Sequence, residues 1–195
     1  MQRRLIALFC LALALILVGG CASPHYLEAD PRVGGDLPRN GNGEEVTVNV
    51  VDDRESEVLG TRSGAANASA TVTVYAHELV PKLQEQAELA VQRMGFSPTR
   101  EAAEGRPSLT LTLKRLGYGR GASQPMLGSA RLEAVFLAKA VNGRQTYTGT
   151  YTSRRDQSYV IRPGEEANTE MVNEVLSNAL DRAFRDQELG RLLAR

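Results

Sequence analysis

The sequence predicts an α+β fold of two layers, in which an antiparallel sheet of about five strands carries two helices on one face. Three observations support this prediction. Apolar residues alternate with polar ones over residues 46–50 and 109–113, a helical spacing of apolar residues covers 78–94, and Asn142-Gly143 separates two further strand patterns. Each helical pattern has one apolar face, which a sheet can cover. The expected order of elements is β-β-α-β-β-β-α.

The strand and helix patterns follow one another without an internal repeat. The first helix is expected to stop at Gly95, a residue suited to the left-handed conformation that ends helices. Asp186 is expected to be the N-cap of a short helical segment after the last long helix. The predicted elements are strands at 46–50 and 71–75, a helix at 78–94, strands at 109–113, 131–141 and 146–152, and a helix from about residue 169.

The first 21 residues have the organisation of a bacterial lipoprotein signal. Arg3 and Arg4 precede an apolar run over residues 5–18, and small residues lead to Cys21. The apolar run is shorter than the roughly 20 residues that a membrane-spanning helix requires. We therefore predict a signal peptide over residues 1–20. Val-Gly-Gly-Cys resembles a lipobox, so Cys21 is expected to carry the lipid, and ordinary secretory cleavage beside an incidental cysteine is the alternative.

The chain after Cys21 is divided into two parts by its composition. Residues 21–44 are rich in proline, glycine and asparagine and show no apolar periodicity, so we expect a lipidated N-terminus and a flexible tether. Residues 45–195 are expected to form a single α+β domain. Several acyl chains on one cysteine make a stable anchor, so the tether would hold this domain near a membrane.

Cysteine content and charge exclude several functional classes. Cys10 lies in the segment that is removed, and a lipidated Cys21 is a thioether. The mature chain would therefore have no thiol for redox chemistry, no disulfide and no cysteine ligand for zinc. Acidic and basic residues are balanced, at 23 each, so bulk charge predicts no nucleic-acid partner. We expect no cofactor.

Several strings of the sequence resemble the YajG-type lipoproteins of Gram-negative bacteria. They are VTVNVVDDR at residues 46–54, Arg-Met-Gly-Phe at 93–96, and the C-terminal stretch that starts at residue 173 and ends at 193. The resemblance covers nearly the whole chain and implies a small envelope or outer-membrane lipoprotein without catalytic residues. The order of elements is also similar to that of other envelope accessory lipoproteins, including the one that plugs the lipopolysaccharide translocon.

Candidate catalytic and metal-binding residues are few. His77 is the one histidine of the predicted domain, and a helix cap or a surface position explains it without catalysis. Asp52 and Asp53, with Glu55 and Glu57, could hold calcium or act as a pair of catalytic carboxylates, but the chain lacks the spacing of a calcium-binding loop. A strand-end turn in which Asp52 and Arg54 pair structurally is the preferred interpretation. We predict no catalytic residues and no metal.

Two other features have a simple interpretation and a functional one. Residues 117–121 are rich in glycine, but a phosphate-binding loop requires a following helix and the next predicted element is a strand. Tyr147, Tyr151 and Tyr159 either cover one face of the sheet or form a stacking platform for sugars or bases. A connecting loop and a covered sheet face are the simpler interpretations.

Basic residues are concentrated between Lys114 and Arg162, whereas the flanking segments are acidic. This distribution indicates either intramolecular charge balance or a basic sheet surface that binds an acidic protein face or lipid phosphates. Arg144, Arg154 and Arg155 are the candidate residues of that interaction surface.

The preferred function is a non-enzymatic, lipid-anchored envelope lipoprotein whose periplasmic domain binds or scaffolds another envelope component. Ala22 follows the lipidated cysteine, where an aspartate would favour retention in the inner membrane, so we expect the outer membrane. An accessory role in outer-membrane or lipopolysaccharide assembly is the alternative. A periplasmic hydrolase that uses carboxylates is a further one.

Overall fold

A five-stranded sheet with helices on one face forms the centre of the protein. The computed structural model describes residues 24–61, 71–120, 128–159 and 163–194. The strands are β1 (His25–Tyr26), β2 (Glu45–Asp52), β3 (Val58–Thr61), β4 (Thr71–Thr73), β5 (Ser97–Thr99), β6 (Ser108–Arg120), β7 (Gly128–Asn142) and β8 (Gln145–Tyr159). The helices are α1 (Ala76–Arg93), α2 (Glu165–Phe184) and α3 (Gln187–Leu193). The predicted α+β class is confirmed.

The main sheet has the strand order β5-β2-β6-β7-β8 and is mixed rather than antiparallel. Strands β6, β7 and β8 form the predicted antiparallel meander. Strand β2 is parallel to both of its neighbours, β5 and β6. The expectation of an antiparallel sheet is wrong here because α1 lies between β2 and β6 in the chain, and a helical crossover returns the chain in the same direction.

A second, three-stranded sheet has the order β1-β4-β3. The strand expected at 71–75 is β4, but it pairs with β1 and β3 and is not part of the main sheet. The sequence analysis predicts neither β1 nor β3, because two-residue and four-residue strands have too few positions to show an alternation.

Turns and helix ends agree in part with the sequence signals. Gly95 has a φ angle of 95° after the last turn of α1, as expected of a helix-ending glycine. The Asp186 side chain accepts a hydrogen bond from the backbone N–H of Glu188, so it caps α3 as predicted. The β7–β8 hairpin turns at Gly143 and Arg144, one residue later than expected, since Asn142 pairs with Gln145.

The hydrophobic core lies between the main sheet and the helices. Helix α1 contacts β2, while α2 and α3 contact β7 and β8. On β7, alternate residues from Leu132 to Ala140 are buried beneath the helices, and the residues between them lie on the opposite face. We call the covered side the inner face and the uncovered side the outer face. The largest fully buried side chains include Phe136, Phe184, Leu83, Leu111 and Leu176.

Gln84 of α1 completes the edge of β2. Strand β5 pairs only with the first part of β2. Beyond it, the Gln84 side-chain oxygen accepts a hydrogen bond from the N–H of Val50 at 2.8 Å, and its amide nitrogen donates to the carbonyl of Val48 at 3.0 Å. A buried strand edge needs such partners, because unpaired backbone groups are costly away from water.

The N-terminal segment is not a flexible tether in the part that the structure describes. Leu27, Ala29 and Val33 are at most 4% exposed and belong to the hydrophobic core. We call residues 27–34 the strap. The expectation of a tether over 21–44 is wrong for these residues, because the alternating apolar side chains of an extended segment can be buried even where prolines and glycines are frequent.

Helices α1 and α2 both hold the strap through side chains that accept hydrogen bonds from its backbone. The N–H groups of residues 30, 32 and 34 donate to Asn173, Ser177 and Asp181 of α2, at 2.7, 2.9 and 2.9 Å. Two extended residues span about 6.6 Å, and four helical residues span about 6 Å. This match in length explains the regular pairing. On the other side, Gln86 of α1 accepts from the Val33 N–H at 3.0 Å.

Candidate interaction surfaces and membrane-proximal end

A buried histidine two residues before the strap lies beside the N-terminal end of α2. His25 is 6% exposed, and its Nδ1 lies 3.3 Å from the Nδ2 atom of Asn168. Asn168 Oδ1 also accepts a hydrogen bond from the Tyr118 hydroxyl at 2.8 Å. The expectation that His25 belongs to a flexible tether is wrong, because its side chain is buried and lies beside Asn168 of α2. These contacts fix where the chain enters the folded domain.

Cys21 itself lies outside the described residues. It lies four positions before His25, and a fully extended chain of four residues spans at most about 14 Å. Chain length therefore limits how far Cys21 can lie from the end of the domain that carries His25. This end, which carries β1 and the N-terminal end of α2, is called the anchor end below.

Asp52 and Arg54 form a buried ion pair at the end of β2. Their side chains are 8% and 2% exposed. Arg54 Nε donates to Asp52 Oδ1 at 2.8 Å, and Nη2 donates to Oδ2 at 2.6 Å. Arg54 Nη2 also donates to the Val74 carbonyl at 3.0 Å, which joins the main sheet to the segment after β4. Arg54 Nη1 is buried without a hydrogen-bond partner in the described part of the chain.

The neighbouring Asp53 has a different environment. Its side chain is 58% exposed and forms an ion pair with Lys114 of β6. Asp52 and Asp53 therefore point toward different partners and do not converge on one site. A cleft of about 620 Å³ beside them is lined by Asp53, Arg54, Lys114 and Tyr118 among others, but not by Asp52. A hydrolase that uses these two carboxylates together does not fit this geometry.

Metal and acid–base chemistry have little support in the described residues. No three histidine, cysteine, aspartate or glutamate side chains within them converge to hold a metal ion. The His77 side chain is 74% exposed, and its Nε2 lies 3.8 Å from a carboxylate oxygen of Glu78. Its imidazole packs against the Tyr75 ring at a centroid distance of 5.3 Å. This is a surface position at the start of α1.

Arg144, Arg154 and Arg155 do not form one surface. Arg154 lies on the outer face, where its Nε donates to Glu133 at 2.6 Å. Arg155 lies on the opposite side of β8 and pairs with Glu174 of α2. Arg144 is in the hairpin turn, ten residues along the strand from Arg154, which corresponds to about 33 Å. A common patch of these three residues is therefore incompatible with the strand geometry.

Acidic neighbours balance the basic residues at the anchor end of the outer face. Glu133 lies within 4 Å of both Arg115 and Arg154. Arg131 Nε donates to Asp156 at 2.7 Å, across the β7–β8 pair. These contacts lower the pKa of Asp156, chiefly through the hydrogen bond from Arg131. The predicted basic surface is therefore a set of ion pairs in which two carboxylates face three arginines, with a small positive excess.

The rest of the outer face carries threonines and short aliphatic side chains. Alternate residues of β8 place Thr146, Thr148, Thr150 and Thr152 on this face. Their partners on β7 include Leu137 and Val135, which are half-buried although no helix covers them. The alternation of threonines in the sequence predicts that one face of this strand contacts solvent. Only the positions of the helices show which face of the sheet remains uncovered.

Tyr147 and Tyr151 lie on the inner face and bind Asp186. Each hydroxyl donates to Asp186 Oδ2 at 2.6 Å. Burial by itself would raise the pKa of the Asp186 carboxyl, but these hydrogen bonds and those from backbone N–H groups lower it overall. Burial and the contact with Asp186 raise the pKa of Tyr151. This geometry is that of a structural cluster, not of an open stacking platform, and the Tyr159 side chain lies outside the described residues.

Gly121, the last residue of the predicted glycine-rich run at 117–121, lies outside the described residues. Gly117 and Gly119 are part of β6, which extends to Arg120. The first part of the predicted loop is thus a strand.

One of the solved structures that this chain resembles shares its fold, and two others are less similar. A crystal structure of a Xanthomonas campestris protein is 14% identical, covers 86% of this chain and 95% of its own, and superposes with a TM-score of 0.56. A minor lipoprotein of Acinetobacter baumannii is 10% identical over 75% of this chain and 93% of its own, with a TM-score of 0.40. Rare lipoprotein B of Shewanella oneidensis is 16% identical over 77% and 91%, with a TM-score of 0.38.

The first of these similarities shows the common fold, and the other two are too distant to support an argument. No curated protein matches this sequence. Within the described ranges, each helix is too short or too polar to cross a bilayer. A family model described as an uncharacterized lipoprotein matches residues 31–194, which include the second half of the strap, the whole main sheet, strands β3 and β4 and all three helices. The chain belongs to this family of uncharacterized lipoproteins.

Proposed function

We propose that this protein is a non-enzymatic, YajG-type lipoprotein of the outer membrane, anchored through lipid on Cys21, whose periplasmic domain binds another envelope component. Family membership and the lipobox at residues 18–21 support the anchor. The observation that carries the proposal is the position of His25, buried four residues after Cys21. A lipid on Cys21 would hold the domain against the bilayer, not on a long stalk.

The two cysteines of the chain provide a matched test of the anchor. Metabolic labelling with palmitate and membrane fractionation are expected to show a labelled, membrane-bound wild type and an unlabelled Cys21→Ser variant. Cys10→Ser, in the apolar part of the signal, is the control and should be labelled like the wild type. Label that persists in Cys21→Ser, or a wild-type chain without label, would contradict the proposal.

The outer face of the main sheet is the surface that we assign to the envelope partner, and we propose that this partner is a protein. Its ion pairs alternate in sign, as in the contacts of Glu133 with Arg115 and Arg154. Carboxylates thus offset most of the basic residues of this face, which leaves only a small positive excess to attract anionic lipid and favours a polar protein face as the partner. The threonines around Thr150 add hydroxyl groups that can donate and accept hydrogen bonds.

A photo-crosslinking amino acid at Thr150 tests this surface in living cells. We expect a discrete crosslinked protein band. Glu170, an exposed residue of α2 on the helical side, is the matched control position and should not give that band. Lipid adducts alone at Thr150, or the same band from both positions, would count against the outer face as a protein-binding surface.

A further inference from the structure

An aromatic cluster is exposed at the anchor end. The rings of Tyr26 and Tyr75 stack with a centroid distance of 5.6 Å and an interplanar angle of 10°. The imidazole of His77 also packs against the Tyr75 ring. Tyr26 remains 51% exposed. Only 5% of the residues are phenylalanine, tryptophan or tyrosine, yet two tyrosines and a histidine place their rings together at this surface.

The three-stranded sheet extends this apolar surface. Tyr26 of β1 pairs with Thr73 of β4, and Thr73 pairs with Val58 of β3. Tyr26 and Val58 therefore lie on either side of Thr73 on one face of the small sheet. Val58 is 42% exposed, so large apolar side chains are open to solvent at both edges of this sheet. We call Tyr26, Val58, Tyr75 and His77 the aromatic end patch.

The patch lies next to the point where the lipid would leave the domain. Tyr26 follows His25 directly, so it is five residues from Cys21. The short connection brings the acylated cysteine to within about 14 Å of His25. A bilayer that holds the acyl chains must therefore approach this end of the domain. The side chains that meet it first are those around β1.

We propose that the aromatic end patch docks in the interfacial region of a zwitterionic bilayer and so fixes the orientation of the domain on the membrane. This inference rests on the proposed lipidation of Cys21. Tyrosine rings favour the membrane–water interface because the ring is apolar and the hydroxyl remains hydrated. The acidic Glu57 and Glu78 flank the patch, and they disfavour anionic lipid as the main attraction.

The absence of tryptophan from the sequence makes a direct test possible, since one introduced tryptophan reports its own environment alone. Full-length acylated Tyr26→Trp would be reconstituted in phosphatidylcholine vesicles with brominated acyl chains. We expect a blue shift of the emission and a loss of intensity through quenching by bromine. Arg144→Trp, in the β7–β8 turn, is the matched control and should show neither change. Val58→Trp is a second probe, and adding Tyr26→Ser to it should relieve its quenching.

The outcomes separate the two proposals. Mass spectrometry of the reconstituted protein reports acylation of Cys21, and an unacylated chain overturns the proposed function. An acylated chain with unquenched tryptophan at both Tyr26 and Val58 overturns the docking while leaving the anchor intact. Quenching that depends on added phosphatidylglycerol overturns the zwitterionic bilayer as the partner. A dimer that Tyr26→Ser dissociates would assign the patch to a second copy of the chain instead.

Discussion

The two faces of the main sheet differ in what covers them, although they share the same strands. On the inner face, helices bury Phe136 completely, and the Asp52–Arg54 pair is almost inaccessible to water. On the outer face, Leu137 is only half-buried and the Asp53–Lys114 pair is exposed. Consecutive residues therefore have opposite environments, because side chains alternate along a strand. From this difference we expect residues of the inner face to contribute most of the free energy of unfolding. Residues of the outer face remain available to bind a partner.

The largest expected difference concerns the neighbours Phe136 and Leu137. Phe136→Ala should lower the free energy of unfolding by about 3–5 kcal/mol, because it leaves a cavity in the core. Leu137→Ala should lower it by roughly 1 kcal/mol, because that side chain is partly hydrated already. Urea denaturation of the two variants measures both values. Equal losses would mean that the outer face is covered in solution.

A second pair of neighbours, Asp52 and Asp53, compares a buried ion pair with an exposed one. Asp52→Asn should cost about 3 kcal/mol, since it leaves the buried Arg54 guanidinium without a counter-charge. Asp53→Asn should cost less than about 1 kcal/mol, because water screens its exposed pair with Lys114. Thermal unfolding of both variants at one pH provides the comparison. A stable Asp52→Asn variant would show that Arg54 does not depend on this carboxylate.

The smallest expected effect is the pH dependence of the Asp186 cluster. The pKa of its carboxyl is lowered in the folded protein, so the stabilisation is complete above about pH 4 and disappears as the pH falls through the folded-state pKa. Asp186→Asn should cost about 1–2 kcal/mol at neutral pH, and the difference from wild type should shrink in acid. Urea midpoints between pH 7 and pH 2.5 test this.

Asp156→Asn is the matched control on the outer face, where the carboxylate is exposed beside Arg131. Its effect should be reduced by added salt, whereas that of Asp186→Asn should persist, because the Tyr147 and Tyr151 hydroxyls bind a partly buried carboxylate. If added salt also reduced the loss of stability caused by Asp186→Asn, the Asp186 carboxylate would have to be in contact with solvent.

Sequence reasoning was most successful where a pattern is local. The helix that ends at Gly95, the meander of β6 to β8 and the cap at Asp186 each follow from residues close in the chain. It was least successful for the strap. Leu27, Ala29 and Val33 alternate, but the prolines and glycines around them also fit a tether, and only the groove between α1 and α2 distinguishes the two.

For the candidate surfaces, charge counting along the chain was misleading. Arg144, Arg154 and Arg155 are close in sequence, yet the hairpin places them at different ends and on different faces of the sheet. The sequence also gave no sign of the aromatic end patch, because Tyr26 and Tyr75 are 49 positions apart and meet only through the pairing of β1 with β4.

The sequence by itself determined the signal and lipobox pattern, the order of the main strands and helices, and the α+β class, because each depends on the spacing of neighbouring residues. The tertiary structure alone decided that β2 is parallel to β6, that Asp52 and Arg54 are buried, and which face of the sheet stays open. It also decided that residues 27–34 pack against α1 and α2 instead of forming part of a tether. These properties depend on contacts between residues that are far apart in the sequence. The free energy of such contacts cannot be deduced from the spacing of neighbouring residues.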